Sequence, residues 1–104
     1  MREKRIVLVN DVTGLSRCSV ACQLPIISSM GIETAFVPTA ILSINTYHKD
    51  FFFDDYTSKM KDYIATYKKM NIDFDGICSG FLGSAKQIEI VKEFFKDFKT
   101  DKNF

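Results

Sequence analysis

The stretch Arg5-Ile6-Val7-Leu8-Val9-Asn10-Asp11 decides the fold. Ile6 to Val9 are apolar without polar alternation, as expected of a strand covered on both faces in a parallel sheet, so a strand is predicted over 5–9 that stops at Asn10-Asp11. Small and polar residues follow (Thr13, Gly14, Ser16). Residues 17–30 then read as a helix with Val20, Leu24 and Ile27 on one face, closed by Gly31 and kinked by Pro25. Residues 33–42 are rich in Thr, Val, Ile and Phe. They predict one strand through Val37 and a second extended piece after Pro38, which suits an edge or a bend better than mid-strand.

Residues 43–53 are predicted as a loop. Tyr56, Met60, Tyr63, Tyr67 and Met70 then recur at steps of four and three, with Asp54 or Asp55 at the start and Lys68 and Lys69 at the end, a helix whose charges complement its dipole. A stripe of Met and Tyr at this spacing is core packing rather than a ligand box. A strand over 74–79 leads through Gly80-Phe81-Leu82-Gly83 into a third helix. That helix opens with Ser84 and Gln87 at capping-box spacing and is expected to bury Ile88, Val91, Phe95 and Phe98. Strand, helix, strand, strand, helix, strand, helix is the order of a mostly parallel α/β sheet with right-handed crossovers.

The chain has 104 residues and a net charge of +1, with 46% hydrophobic and 26% charged residues, which excludes disordered, collagen-like and strongly basic nucleic-acid-binding classes. That length supports one core and not two domains. Charge is uneven: between Ile6 and His48 only Asp11, Arg17 and Glu33 are charged, and most of the remainder follows Lys49. A half so poor in charge is either the centre of a fold or faces something outside these residues. Residues 1–5 are basic, but the apolar run that follows is too short for a signal peptide, and 18–32 is too polar to span a membrane, so a cytoplasmic protein without membrane contact is expected. Three cysteines (Cys18, Cys22, Cys78) fit reduced thiols.

Ligands of open α/β sheets bind beyond the carboxyl ends of the strands, which directs attention to 10–16, 43–48 and 80–83. Asp11 there could hydrogen-bond a ligand's hydroxyl or ring nitrogen, or could equally be a turn or capping residue. Thr13-Gly14-Leu15-Ser16 lacks the glycine spacing of a dinucleotide fingerprint and the Gly-Lys-Ser/Thr ending of a P-loop. Cys18 and Cys22 lie one helical turn apart, yet with a single histidine and no Cys-x-x-Cys pair they read as small buried thiols rather than metal ligands. His48 has no catalytic partner at a fixed spacing and reads as an exposed loop residue.

Three segments are nevertheless distinctive: Val9-Asn10-Asp11-Val12-Thr13-Gly14-Leu15-Ser16-Arg17-Cys18-Ser19 with the following 24–34, then Val37-Pro38-Thr39-Ala40-Ile41-Leu42-Ser43-Ile44-Asn45-Thr46, then Phe74-Asp75-Gly76-Ile77-Cys78-Ser79-Gly80-Phe81-Leu82-Gly83-Ser84. In this order and spacing they resemble the pyridoxal (pyridoxine, pyridoxamine) kinases of the ribokinase-like superfamily. The resemblance is collinear over nearly the whole chain, and it implies the N-terminal portion of a three-layer α/β/α fold. It also implies ATP-dependent transfer of phosphate to the 5′-hydroxymethyl group of a vitamin B6 vitamer, with Mg²⁺ balancing the triphosphate, in a cytoplasmic homodimer. Carried over by position, Asn10 and Asp11 would meet the pyridine ring and its polar substituents. Thr46 and Phe81 would line the same pocket, and Leu15 and Ser16 would form its wall near the first helix. Asn45 stands where the family usually has histidine, which keeps hydrogen bonding and loses a titratable ring.

Members of that family run more than twice this length, and their catalytic aspartate, anion hole and most ATP and metal contacts lie in the half that follows. The expectation is therefore an incomplete kinase domain over 1–104, supplying the vitamer pocket, binding neither ATP nor Mg²⁺ alone, and not catalysing transfer by itself. The related hydroxymethylpyrimidine kinases are the close alternative, and a non-catalytic ligand-binding or oligomerising fragment is the alternative from another class.

Overall fold

The computed structural model describes residues 3–15 and 17–98. Four strands and three helices follow one another as β1 (Arg5–Leu15), α1 (Ser19–Ser29), β2 (Glu33–Ile44), β3 (Phe53–Asp55), α2 (Thr57–Lys69), β4 (Gly76–Ser79) and α3 (Ala85–Phe98). They build one sheet in the order β3-β2-β1-β4, in which β1 pairs in parallel with both β2 and β4 and β3 runs antiparallel along β2. The inner position of β1 explains its composition. Val7, Leu8 and Val9 are all buried, because successive side chains point to opposite faces and both faces are covered.

Two expectations about the strands need correction. β1 does not stop at Asn10-Asp11 but continues to Leu15, because β2 continues beside it: Val12 pairs with Ile41, Thr13 with Leu42 and Leu15 with Ile44. β2 in turn is one strand and not two pieces separated at Pro38. Asn10 stands opposite Pro38, and the next pair is Val12 with Ile41, so Thr39 and Ala40 together face the single residue Asp11. Pro38 removes nothing from the pairing with β1: Glu33 gives its N–H to the Lys4 carbonyl (2.9 Å), so position 38 of the same register turns its nitrogen the other way, where β3 pairs only from Ala40 onward. The third strand is accordingly Phe53–Asp55 rather than 38–42, and it overlaps the end of the expected loop. Phe53, Asp54 and Asp55 pair with Leu42, Ile41 and Ala40, and Ser43 closes the connection by donating its N–H to the Phe52 carbonyl (3.0 Å) while its hydroxyl accepts from the Phe52 N–H (2.8 Å).

α1 packs on one face of the sheet through Val20, with Pro25 inside it. It ends as predicted at Gly31, whose positive φ of 80° is the left-handed geometry that glycine supplies without strain. α2 and α3 cover the other face, where Val7, Val9 and Val37 meet Met60, Ile64, Phe74, Ile90, Val91, Phe94 and Phe98. On α2 the predicted stripe holds for Tyr56, Met60, Tyr63 and Tyr67, with the Tyr67 hydroxyl donating to the Phe36 carbonyl (3.0 Å). Burial pushes the Tyr63 phenol above its ordinary range. Met70 lies past the last helical turn and is exposed.

On α3 the predicted face is displaced. The buried residues are Gln87, Ile90, Val91, Phe94 and Phe98, while Ile88 is exposed and Phe95 half-buried. The apolar residues of this helix permit two overlapping stripes, and the one that wins carries a polar residue, Gln87, whose amide finds partners inside. Phe94 stacks on Phe98 at 4.6 Å between ring centres and leans on Phe74 at 6.2 Å. Phe94→Ala is therefore expected to cost about 3–5 kcal/mol in chemical denaturation, against roughly 0.5 kcal/mol or less for Ile88→Ala. Equal losses would mean the helix packs in the other phase.

Candidate functional site

At the carboxyl ends of β1 and β2 the chain encloses an open cavity of about 250 Å³. Asp11 and Thr13 come from β1, Cys18 and Ser19 from the start of α1, and Leu42 from β2. Asn45 and Thr46 from the following loop, Phe53 from β3 and Phe81 from the loop after β4 complete the lining. Placed where the bulge redirects β1, Asp11 is 7% exposed and turns its carboxylate toward two hydroxyls. Thr13 Oγ1 donates to Oδ2 (2.8 Å) and Ser19 Oγ donates to Oδ1 (2.6 Å). Thr13 can do so because it lies two residues along the same strand, on the same side. Ser19 has a φ of 51°, a left-handed conformation that costs a non-glycine residue about 1–2 kcal/mol, and its bond to Asp11 helps hold it there.

Behind this wall stands Asn10. Its side-chain oxygen accepts the N–H of Asp11 (2.9 Å) and of Phe81 (3.0 Å), and its amide nitrogen donates to Gln23 Oε1 on α1 (3.3 Å). One carboxamide thus links β1, α1 and the loop after β4. Gly80 allows it: a Cβ at that position would run into the Asn10 carboxamide, while the Gly80 N–H is held by the Val9 carbonyl (2.8 Å). Phe81 is thereby presented to the cavity, edge-on to Phe53 at 6.4 Å.

A second polar link lies beneath. Gln87, 0% exposed, accepts the Gly83 N–H at Oε1 (2.6 Å) and shares its amide protons between the Thr39 carbonyl (2.8 Å) and Thr57 Oγ1 (2.9 Å). Ser84 Oγ accepts from the Gln87 N–H (3.3 Å), so half of the expected capping box forms, and the Gln87 side chain reaches Gly83 instead of Ser84. Asp55 ends β3 two residues before α2, so the expected acidic start lies just outside the helix, where it accepts the Thr57 N–H (2.8 Å). The hydroxyl and then the backbone N–H of Thr57 hold its carboxyl below the usual carboxylate range.

Of the residues singled out in the sequence, Asp11, Asn45, Thr46 and Phe81 come together at the cavity. Asn10 is buried behind it as a support, Leu15 is 67% exposed and outside the lining, and Ser16 lies outside the described residues. Asn45 also accepts the Tyr47 N–H (3.2 Å). Thr13, Ser19 and Phe53 were missed, as were the supporting Gly80 and Gln87. An Asp-x-Thr alternation was the available signal for Thr13, hidden once the strand was ended at Asp11. His48 is exposed against Tyr47, Cys18 and Cys22 are free thiols that are half-buried rather than buried as expected, Cys78 is free and exposed, and among the described residues no three His, Cys, Asp or Glu side chains gather as a metal site. Gly80→Ala is expected to destabilise the protein by about 1–3 kcal/mol, by displacing the Asn10 carboxamide and leaving the Phe81 N–H without its acceptor. Measured by denaturation beside Gly80→Ala, the double variant Asn10→Ala/Gly80→Ala should lose little beyond Asn10→Ala alone; full additivity would contradict the clash.

No protein-family model and no curated protein matches the chain. Solved structures do. A candidate phosphomethylpyrimidine kinase of Bacteroides thetaiotaomicron, in a crystal form with pyridoxal, is 42% identical over 99% of this chain and 36% of its own, with a TM-score of 0.96. The pyridoxal kinase of Lactobacillus plantarum superposes at a TM-score of 0.88 with 18% identity, over 94% of this chain and 36% of its own. The pyridoxal kinase of Staphylococcus aureus in complex with AMP-PCP and pyridoxal does so at 0.77 with 14% identity, over 97% and 37%. The chain spans a little over a third of the length of these structures. Over that shared stretch its described residues carry the ribokinase-like α/β fold of the pyridoxal kinase-like proteins.

Proposed function

We propose that this chain supplies the vitamer-binding part of a kinase that transfers phosphate from ATP to the 5′-hydroxymethyl group of a vitamin B6 vitamer. The observation that carries the reading is the likeness, 42% identical at a TM-score of 0.96, to a protein crystallised with pyridoxal. The cavity agrees with it chemically. Phe81 and Phe53 offer ring edges and faces to a flat heteroaromatic, and Asp11, Thr13, Ser19, Asn45 and Thr46 offer hydrogen-bonding groups to its substituents. Asn10 and Gly80 act one step removed, by setting where Asp11 and Phe81 stand.

Phosphoryl transfer needs a positioned acceptor, a base and neutralisation of the phosphate charge. These residues address the first. These 104 residues span a little over a third of the kinase structures they resemble, and the part proposed for them is binding of the vitamer rather than the transfer itself. ATP and Mg²⁺ supply the phosphoryl group and its charge balance in the complete enzyme, and homodimerisation belongs to that enzyme too. A second reading, a hydroxymethylpyrimidine kinase, is favoured by the name of the Bacteroides protein, and the same polar groups would accommodate an aminopyrimidine.

In steady-state kinetics of the complete enzyme, Asp11→Ala and Thr46→Ala should raise the KM for pyridoxal by about tenfold or more, the worth of one hydrogen bond to a charged group or somewhat less, with little change in the KM for ATP. Loss confined to ATP affinity would contradict the placement. Faster turnover of hydroxymethylpyrimidine than of pyridoxal would select the second reading.

A further inference from the structure

Among the described residues Asp11 is the only formally charged one lining the cavity, and it is more than nine-tenths buried. Its two oxygens each accept one hydroxyl hydrogen, from Thr13 and from Ser19, and no lysine, arginine or histidine among the described residues pairs with it. A carboxylate offers about four acceptor positions, so acceptor capacity remains on both oxygens after these bonds. A buried charge normally has an opposite charge beside it, because taking it from water is costly. The positive end of α1, which begins at Ser19, eases that cost by a partial charge only. Every other lining group that hydrogen-bonds is neutral, and Cys18 is the one other titratable side chain there.

From this arrangement we infer that the cavity selects its ligand by charge: it takes a heterocycle carrying a protonated ring nitrogen, whose N–H⁺ donates to Asp11, and rejects the uncharged isostere. Thr13 and Ser19 are positioning residues in this selection, since they fix the plane of the carboxylate. The inference rests on the vitamer reading and narrows it. On this inference the substrate provides the positive charge that no described residue sets beside Asp11, and the ring nitrogen stands at the β1 end of the cavity.

Calorimetric binding of two probes to the complete protein at neutral pH tests this: pyridoxine, and its carbocyclic analogue in which the ring nitrogen is C–H. Pyridoxine is expected to bind about ten- to a hundredfold more tightly, the range for a hydrogen bond to a charged group. Asp11→Asn should bring the ratio close to one by weakening pyridoxine while leaving the analogue unchanged. Thr13→Val should reduce the ratio in part, and Thr13→Ser should restore it. Equal binding of both probes to the unaltered protein overturns charge selection while leaving the vitamer reading intact, and so does a ratio that survives Asp11→Asn. Binding of neither probe overturns both. The comparison on the unaltered protein decides the matter even where a variant fails to fold.

Discussion

A shift of register between β1 and β2 just past Pro38 shapes everything at the carboxyl end of the sheet. Below Pro38 the pairing is regular and apolar on both faces. Past Pro38 two residues of β2 come to face one residue of β1, and that one residue is Asp11. Bulges of this kind bend a strand and re-aim its side chains. Here the consequence is a carboxylate turned out of the sheet toward the start of α1. The bulge has its own cost: the Thr39 hydroxyl is buried without a hydrogen-bond partner among the described residues, worth about 1–3 kcal/mol against the fold.

Two buried carboxamides fasten the loops around that point. Asn10 takes the place where a Gly80 side chain would be and holds both Asp11 and Phe81 by their N–H groups, while Gln87 fastens the Gly83 turn to β2 and to the start of α2. Each is a polar group inside the protein whose bonds are nearly all made within it, which is the condition under which such groups specify one arrangement instead of weakening it. The cavity is therefore a product of strand register and two amide hubs. Its aromatic side, Phe81 on Phe53, joins β3 to the loop after β4.

How much of this was legible in the sequence follows from the range of each signal. The unbroken run at Ile6 to Val9, the Tyr and Met stripe of α2 and the glycine after α1 are local, and the structure agrees with them except at Met70, which falls past the last turn of α2. The length of β1 was not local, since Val12 to Leu15 are strand only because 41–44 lie beside them. Pro38 pointed to a break, and the strand instead runs through it to a bulge at the next two residues. The phase of α3 was misread because Gln87 looked like a cap and nothing more, whereas its other bonds reach residues 48 and 30 positions away. The resemblance to pyridoxal kinases located Asp11, Asn45, Thr46 and Phe81 in one neighbourhood, and the cavity unites them. Thr13, Ser19 and Phe53 needed the fold before they could be seen.

The central claim is that this cavity holds a vitamin B6 ring between Asp11 and Phe81. A crystal structure of the complete protein with pyridoxal tests it most directly. The account predicts the ring in the cavity with its nitrogen within hydrogen-bond distance of an Asp11 carboxylate oxygen and the Phe81 ring against it. Pyridoxal bound elsewhere, or in the cavity with its nitrogen turned away from Asp11, would contradict it.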